Sequence, residues 1–211
     1  MQAPAAVPGT LSVTGEGQVK AKPDVATINL GVLTTSKRAE DAVAENAKRM
    51  TQIIDRMKKL GVPSEDLQTV GFNISPVVDY DEKSPNFGQI IEYRVEATLS
   101  VRTQVDMAGR ALDEGVSAGA NVSGGLSFGL RDETAYKSQA LKAAVEAARR
   151  DADTVAESMG MKIKGSTTIE VQRGGAPIIL RSLARAGAAP QTTFEPGILT
   201  ISASVRIVFT Y

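Results

Sequence analysis

The C-terminal residues 199–211 read LTISASVRIVFTY, with an apolar residue at every odd position and a polar one at every even position except Val208. A period of two is typical of a β-strand that buries one face and exposes the other. Such strands form antiparallel sheets, because parallel strands are covered on both faces and read as continuous apolar runs. These residues therefore predict a long strand in an antiparallel sheet.

Other segments of the chain repeat this pattern or interrupt it with helices. In order, the elements read β-β-α-β-β-α-β-α-β-β, which predicts an α+β fold with about three helices packed on a mostly antiparallel sheet. The stretch from about residue 24 to residue 131 reads βαββαβ, the ferredoxin-like arrangement. The other alternating segments are 11–21, 26–32, 70–78, 93–101, 122–130 and 169–171, and the helical ones are 36–60, 107–116 and 133–159.

The helical segments have apolar residues three and four positions apart, as a helix with one buried face does. Seven amphipathic strands and only three helices predict that part of the apolar sheet area lacks helical cover. The first helix is expected to bury Val43, Ala47, Met50, Ile54, Met57 and Leu60, and the last helix Leu141, Val145, Ala148, Ala152, Val155 and Met159.

The composition excludes several classes of chemistry. The 211 residues include no histidine and no cysteine, which excludes a Ser-His-Asp triad, a thiol nucleophile and a zinc–thiolate site. Residues 125–129 match the G-x-S-x-G nucleophile motif, but no histidine can activate the serine, so we interpret them as a strand. We therefore predict no catalytic residue, no metal and no cofactor, and a protein that is not an enzyme.

The charge balance and the apolar runs restrict the partners. There are 24 basic and 24 acidic side chains, a net charge of zero, which argues against a protein that binds nucleic acid by neutralising phosphates. No apolar run reaches the ~18 residues of a transmembrane helix. We expect residues 1–9 to be a flexible mature N-terminus from which a signal peptide has been removed. Residues 10–211 are expected to form a single domain with a long loop at 173–197.

The first strand contains an ordered series of small residues. Gly15 and Gly17 lie on one face of the strand and leave it bare, so another element can approach closely. Pro23 fixes the backbone where the chain turns into the next strand beside Asp24. We assign structural packing roles to these four residues.

The loop at 173–197 contains a short apolar cluster with arginines close by. Ile178, Ile179, Leu180 and Leu183 have no evident core partner in the sequence, and Arg181 lies among them. Exposed apolar clusters often mark interaction surfaces, so we predict a contact between subunits here. The alternatives are a lid over the protein's own core, a mobile segment, or a weak membrane-surface anchor.

Several of these motifs together resemble the SIMPL-domain proteins of bacterial envelopes, the family that includes the periplasmic immunogenic proteins. The resemblance covers about residues 10–211 and rests on residues 13–17 (VTGEG), Pro23-Asp24, residues 61–69 (GVPSEDLQT), residues 71–74 (GFNI) and the helix ending at Met159-Gly160. It implies a secreted periplasmic protein, with loose outer-membrane association left open, that self-assembles and is linked to oxidative and envelope stress. It implies no catalytic residue.

Two classes of function follow from the residues and this resemblance. The first is a non-enzymatic homo-oligomer of the envelope with a protective or scaffolding role. The alternative is a periplasmic module that binds a small molecule, a lipid or an envelope polymer in a cleft between sheet and helices. A carboxylate- or lysine-based enzyme is a third class, but the sequence offers no convergent acid–base pair for it.

Overall fold

The computed structural model describes residues 9–173, 178–180 and 192–211. Within them, the predicted α+β class and the order of strands and helices are confirmed, but the strands form two antiparallel sheets rather than one. A three-residue strand that the sequence did not predict, β7, precedes the last strand. The elements are β1 (Thr10–Ala21), β2 (Val25–Ser36), α1 (Ala39–Lys59), β3 (Leu67–Val78), β4 (Ile90–Gln104), α2 (Ala108–Ser117), β5 (Val122–Gly129), α3 (Thr134–Ser158), β6 (Gly165–Arg173), β7 (Ile178–Leu180) and β8 (Ile198–Thr210), with 3-10 turns at Ser64–Asp66 and Val105–Met107.

The described residues divide into two compact units. The βαββαβ unit comprises residues 23–129 and 192–196, and the α3 unit comprises residues 9–22, 130–173, 178–180 and 197–211. A single domain over residues 10–211 stays a prediction.

The βαββαβ unit has the strand order β3-β4-β2-β5, and all neighbouring strands are antiparallel. This is the order expected of a ferredoxin-like arrangement, in which the helix between two parallel strands crosses over the strand that separates them. Helix α1 packs on β2 and β4. Its end agrees with the sequence, because Gly61 has a φ of +88°, the left-handed conformation that ends many helices.

The buried face of α1 differs from the predicted one by part of a turn. Ala47 is exposed, and Asn46 is only 1% exposed. The amide of Asn46 donates hydrogen bonds to the carbonyl oxygens of Val32 (2.8 Å) and Val95 (3.3 Å), so a polar side chain takes a core position by bonding to the sheet. The buried residues of α1 are Ala42, Asn46, Met50, Ile53 and Met57.

The α3 unit has the strand order β1-β8-β6, and β7 also pairs with β8. The alternation predicted for the C-terminal strand is confirmed, since the odd residues of β8 from Leu199 to Phe209 are all buried. They pack with helix α3, which lies against β1 and β8.

The buried face of α3 is a stripe of alanines, which includes the predicted Ala148 and Ala152 but not the larger residues predicted beside them. Val145, Val155 and Met159 are 40%, 38% and 65% exposed, so the prediction that they are buried is wrong. The stripe has a spacing of four residues and consists of Ala140, Ala144, Ala148, Ala152 and Ala156. Its small side chains let the helix backbone lie close to the sheet, which larger residues would prevent.

The start of α3 is held by an acidic side chain. Asp132 accepts a hydrogen bond from the backbone N–H of Thr134 (2.8 Å). Hydrogen bonds from the Thr134 side chain and then from its backbone lower the pKa of Asp132 below its usual value. A carboxylate at this end of a helix also interacts favourably with the helix dipole.

Candidate functional site

The glycines of β1 lie directly beneath helix α3. A Cβ atom placed on Gly15 would overlap the carbonyl oxygen of Ala144 and lie 2.7 Å from the Cβ of Ala148. One placed on Gly17 would overlap the carbonyl oxygen of Ala140 and lie 2.5 Å from the nitrogen of Ala144. Neither glycine has a positive φ, so space, not backbone conformation, is what glycine provides here.

The other two residues predicted to have packing roles lie at the turn between β1 and β2. Pro23 is half-buried and Asp24 is exposed. The backbone N–H of Asp24 donates to the carbonyl oxygen of Gly129 (3.1 Å), which ties the start of β2 to the end of β5.

The predicted subunit contact falls partly on β7. The backbone of Ile178, Ile179 and Leu180 pairs with β8 at residues 198–200. Arg181 and Leu183 lie outside the described residues. The contact between subunits at this segment stays a prediction.

Strand β3 of the βαββαβ unit carries exposed apolar residues. Val70, Phe72 and Ile74 are 54%, 58% and 44% exposed. Phe72 and Ile74 pair with Ala97 and Val95 of β4, which are buried in the helix-side core. Helix α1 covers β2 and β4, so Phe72 and Ile74 share the core face of the sheet but lie beyond the helix that covers it.

The chemistry of β3 is unusual for a strand at the end of a sheet. Its twelve residues, LQTVGFNISPVV, include no charged side chain. Natural proteins commonly protect exposed strand edges with charges, proline or bulges, because an unprotected edge pairs with other chains. In β3, Pro76 and the register shifts near both ends limit such pairing, so residues 71–75 are the stretch open to it. The hairpin that β3 forms with β4 also exposes Tyr80, Phe87, Ile90 and Ile91.

A second edge of the same kind exists in the α3 unit. Ile169 and Val171 of β6 are 59% and 49% exposed. They pair with Ile207 and Val205 of β8, which are buried against α3. Here too the helix lies over the neighbouring strands and leaves the apolar residues of the edge strand uncovered.

The βαββαβ unit also contains a cleft of about 460 Å³ beside the N-terminus of α2. One wall is formed by residues 192–194. Thr192 donates through its hydroxyl (2.7 Å) and its backbone N–H (3.3 Å) to the carboxylate of Asp113, and its carbonyl oxygen lies where a Cβ on Gly109 would be. The lining residues are Asp24, Gln104, Val105, Asp106, Gly109, Thr192, Thr193 and Phe194.

The acidic loop between β3 and β4 uses its carboxylates to shape the turn. Asp79 accepts hydrogen bonds from the hydroxyl of Ser84 and from the backbone N–H of Asp81 (2.9 Å). Both bonds lower the pKa of Asp79, and the bond from Ser84 has the larger effect. Among the described residues, no group of three or more acidic side chains is arranged to hold a metal ion.

Comparison with known proteins identifies the family. The family model of SIMPL, a protein family of unknown function (DUF541), matches residues 11–209. The chain belongs to the SIMPL family. The resemblance that the sequence motifs predict is therefore confirmed.

Two relatives of this SIMPL protein illustrate the similarity. The 26 kDa periplasmic immunogenic protein of Brucella melitensis biotype 1 is 34% identical over 213 residues, which cover 96% of this chain and 84% of that relative. The uncharacterized protein YggE of Escherichia coli (strain K12) is 28% identical over 201 residues, which cover 93% of this chain and 80% of that relative. No helix in the described part of this SIMPL protein is both long and apolar enough to cross a membrane.

The sequence did not reveal the two uncovered edges. It predicted too few helices to cover the strands, but it placed the resulting exposed cluster in the loop at 173–197. The absence of charge from residues 67–78 of this SIMPL protein was the available signal. Alternation alone could not reveal the edges, because an apolar residue on an edge strand has the same period as one on a central strand.

Proposed function

We propose that this SIMPL protein is a non-enzymatic component of the periplasm that self-associates and acts as a scaffold or protective assembly under oxidative and envelope stress. The observation that carries the proposal is the uncharged apolar edge of β3, with Phe72 and Ile74 more than 40% exposed. The periplasmic location is supported by the name of the Brucella relative. Exposed apolar surface of this kind is typical of protein–protein contacts.

The energetics favour a contact that combines side chains and backbone. Fully burying a large apolar side chain contributes about 1.5–3 kcal/mol, so burying the exposed half of Phe72 or Ile74 contributes about 1 kcal/mol each. Association costs several kcal/mol in lost freedom of motion. Side chains alone therefore give a weak contact, and pairing of the strand edge would supply further hydrogen bonds and apolar contact.

The first test is the mass of the protein in solution. We expect the wild type to exceed its chain mass of 22.2 kDa at micromolar concentration in light scattering. The double variant Phe72→Lys/Ile74→Lys is expected to be monomeric, because two ammonium groups cannot be buried in an apolar contact. A wild type that stays at the mass of one chain would contradict self-association.

Two further variants serve as controls in this experiment. Val116→Lys changes an equally exposed apolar residue on α2 (57% exposed), and we expect it to assemble like the wild type. The triple variant Ile178→Ser/Ile179→Ser/Leu180→Ser tests the contact predicted from the sequence. If the triple variant alone is monomeric, the contact lies at residues 178–180 and not at β3.

A second candidate function, a binding module, is favoured by the cleft beside α2. Its volume of about 460 Å³ lies in the range of small-molecule sites, and it combines an aromatic ring, Phe194, with the polar side chains of Gln104 and Asp106. Phe194 also packs against the core of the unit, so the cleft has one anchored wall.

Thermal shift measurements test this binding function. A ligand that binds only the native state raises the unfolding temperature. We expect a shift with at least one of three probes (muropeptides, phosphatidylglycerol vesicles or lipopolysaccharide) if the cleft binds an envelope component. The variant Asp106→Trp, whose ring would fill part of the cleft, should lose that shift, and Asp151→Trp on the exposed face of α3 should keep it. No shift with any probe would contradict the binding function for these envelope components.

A further inference from the structure

We infer that copies of this chain join head to tail, with the β3 edge of one copy paired antiparallel to the β6 edge of the next. The inference rests on the proposed self-association and identifies the two surfaces that meet. It follows from the direction of the backbone hydrogen-bonding groups on each edge, from the match of side chains, and from the charges.

The backbone of β6 directs the hydrogen-bonding groups of its apolar residues to an edge where no described strand pairs. The N–H of Lys164 donates to the carbonyl oxygen of Thr210 (2.8 Å), and the N–H of Tyr211 donates to the carbonyl oxygen of Gly9 (3.1 Å). Even residues of β8 therefore bond toward β6 and odd residues toward β1. Glu170 pairs with Arg206, an even residue, so the N–H and C=O groups of its neighbours, Ile169 and Val171, point to the free edge.

The same reasoning applies to β3. The N–H of Asn121 donates to the carbonyl oxygen of Gly31 (3.0 Å), so odd residues of β2 bond toward β5 and even residues toward β4. Val32 pairs with Ala97, which therefore bonds toward β2. Glu96 then bonds toward β3 at its partner Asn73, and the backbone groups of Phe72 and Ile74 point to the free edge.

The free edges of β3 and β6 consequently have the same geometry. On both strands, the residues whose side chains face the helix layer direct their N–H and C=O groups to the free edge, and no described strand pairs there. In an extended strand of L-residues, the groups of a residue whose side chain points at the viewer always lie on the same side of the strand, relative to its N-to-C direction. Viewed from the helix layer, β3 and β6 therefore have their free edges on the same side. An antiparallel β3–β6 contact therefore continues the sheet with the helices of both copies on one face.

One register of the β3–β6 contact pairs the backbone groups and also brings the apolar side chains of the two strands together. Placing Phe72 opposite Val171 and Ile74 opposite Ile169 makes hydrogen-bonded pairs on the helix side, where all four side chains cover one another. Asn73 then lies opposite Glu170 on the other face, where the amide can donate to the carboxylate. The stretches 71–75 and 168–172 fall outside the bulges of both strands.

Two symmetric contacts, β6 with β6 and β3 with β3, are less favourable than the β3–β6 contact. A β6–β6 contact centred on its apolar pair would place two Glu170 carboxylates directly opposite each other, which is destabilising. A β3–β3 contact would leave Ile169 and Val171 uncovered. A single head-to-tail contact covers both edges, and contacts of this type close into rings or grow into filaments.

Mixing two half-defective variants tests the inference. We expect Phe72→Lys/Ile74→Lys and Ile169→Lys/Val171→Lys each to be monomeric alone, and their 1:1 mixture to form a dimer of twice the chain mass, because one intact edge of each kind remains. Thermal melts verify that each variant is folded. If the β6 variant assembles like the wild type, the head-to-tail contact is wrong while self-association stands. A monomeric wild type would contradict both.

Crosslinking tests the register itself, because the chain has no native cysteine. Asn73 and Glu170 would form a non-hydrogen-bonded pair, the position at which antiparallel strands bring Cα atoms to about 4.5 Å, within the range for a disulfide. Mixed Asn73→Cys and Glu170→Cys proteins should form a mixed dimer at least tenfold faster on mild oxidation than Asn73→Cys mixed with Glu16→Cys, which lies on β1. Equal rates would overturn the register.

Discussion

Replacing Gly15 or Gly17 by valine is expected to destabilise the protein by about 3 kcal/mol, because either side chain would enter the space of the α3 backbone. The atoms in the way are main-chain atoms of Ala140, Ala144 and Ala148, which cannot move without shifting the helix. For a chain of this size, such a loss lowers the melting temperature by on the order of 10 °C. Urea unfolding followed by circular dichroism measures the change directly.

The control for this result is a glycine of the same sheet with open space around it. A Cβ on Gly165 of β6 would meet only the Thr210 hydroxyl oxygen, at 3.8 Å, an ordinary contact. We expect Gly165→Ala to change the free energy of unfolding by less than about 1 kcal/mol, while Gly15→Ala and Gly17→Ala are clearly destabilising. Equal effects at all three positions would contradict the close approach of helix and strand.

The variant Asn46→Asp is expected to lose about 3 kcal/mol of stability at pH 7, although it changes only the amide nitrogen to an oxygen. Asn46 is 1% exposed, and its amide donates to two carbonyl oxygens. A carboxylate there would be buried, would lose both hydrogen bonds and would face the negative ends of two carbonyl dipoles.

The pH dependence of Asn46→Asp has a definite sign. Burial would raise the pKa of the new carboxyl in the folded state above its unfolded value, so the folded variant binds a proton more tightly. Its stability relative to the wild type is therefore greatest below the unfolded pKa and is lost as the pH rises through the folded pKa. Unfolding titrations at pH 4 and pH 7 should show a smaller deficit at pH 4.

A matched variant separates charge from the loss of hydrogen bonds. Asn46→Leu has the branched shape of asparagine, a larger volume and no charge, so its loss of stability has no charge component and it should show the same pH dependence as the wild type. A deficit of Asn46→Asp that does not change with pH would contradict a buried charge as its cause.

Much of the candidate interaction surface follows from local pattern, but its location does not. The predicted alternation of residues 70–78 and 169–171 agrees with strands β3 and β6, and the shortage of helical cover was evident from the count of elements. The exposed residues Phe72, Ile74, Ile169 and Val171 could not be recognised beforehand, because edge and central strands share one period. Strand order decides which of them the helices cover.

The buried faces of the helices were also only partly predictable from the sequence. Ala47, Val145 and Val155 were expected to be buried from spacing and hydrophobicity, yet the structure buries Asn46 and a stripe of alanines. A sequence shows which residues share a helix face, but not how close the neighbouring layer lies. At α3, that distance is short because Gly15 and Gly17 leave β1 bare.

The fold class, the order of strands and helices, and the bare face of β1 could be predicted from the sequence, because they depend on residues near one another in the chain. Three features became evident only in the folded protein: the strands form two sheets, β3 and β6 lie at their edges, and the stripe of α3 that faces β1 consists entirely of alanines. Strand pairing and layer spacing are set by contacts between distant residues, such as β1 with β8 and Gly15 with Ala148.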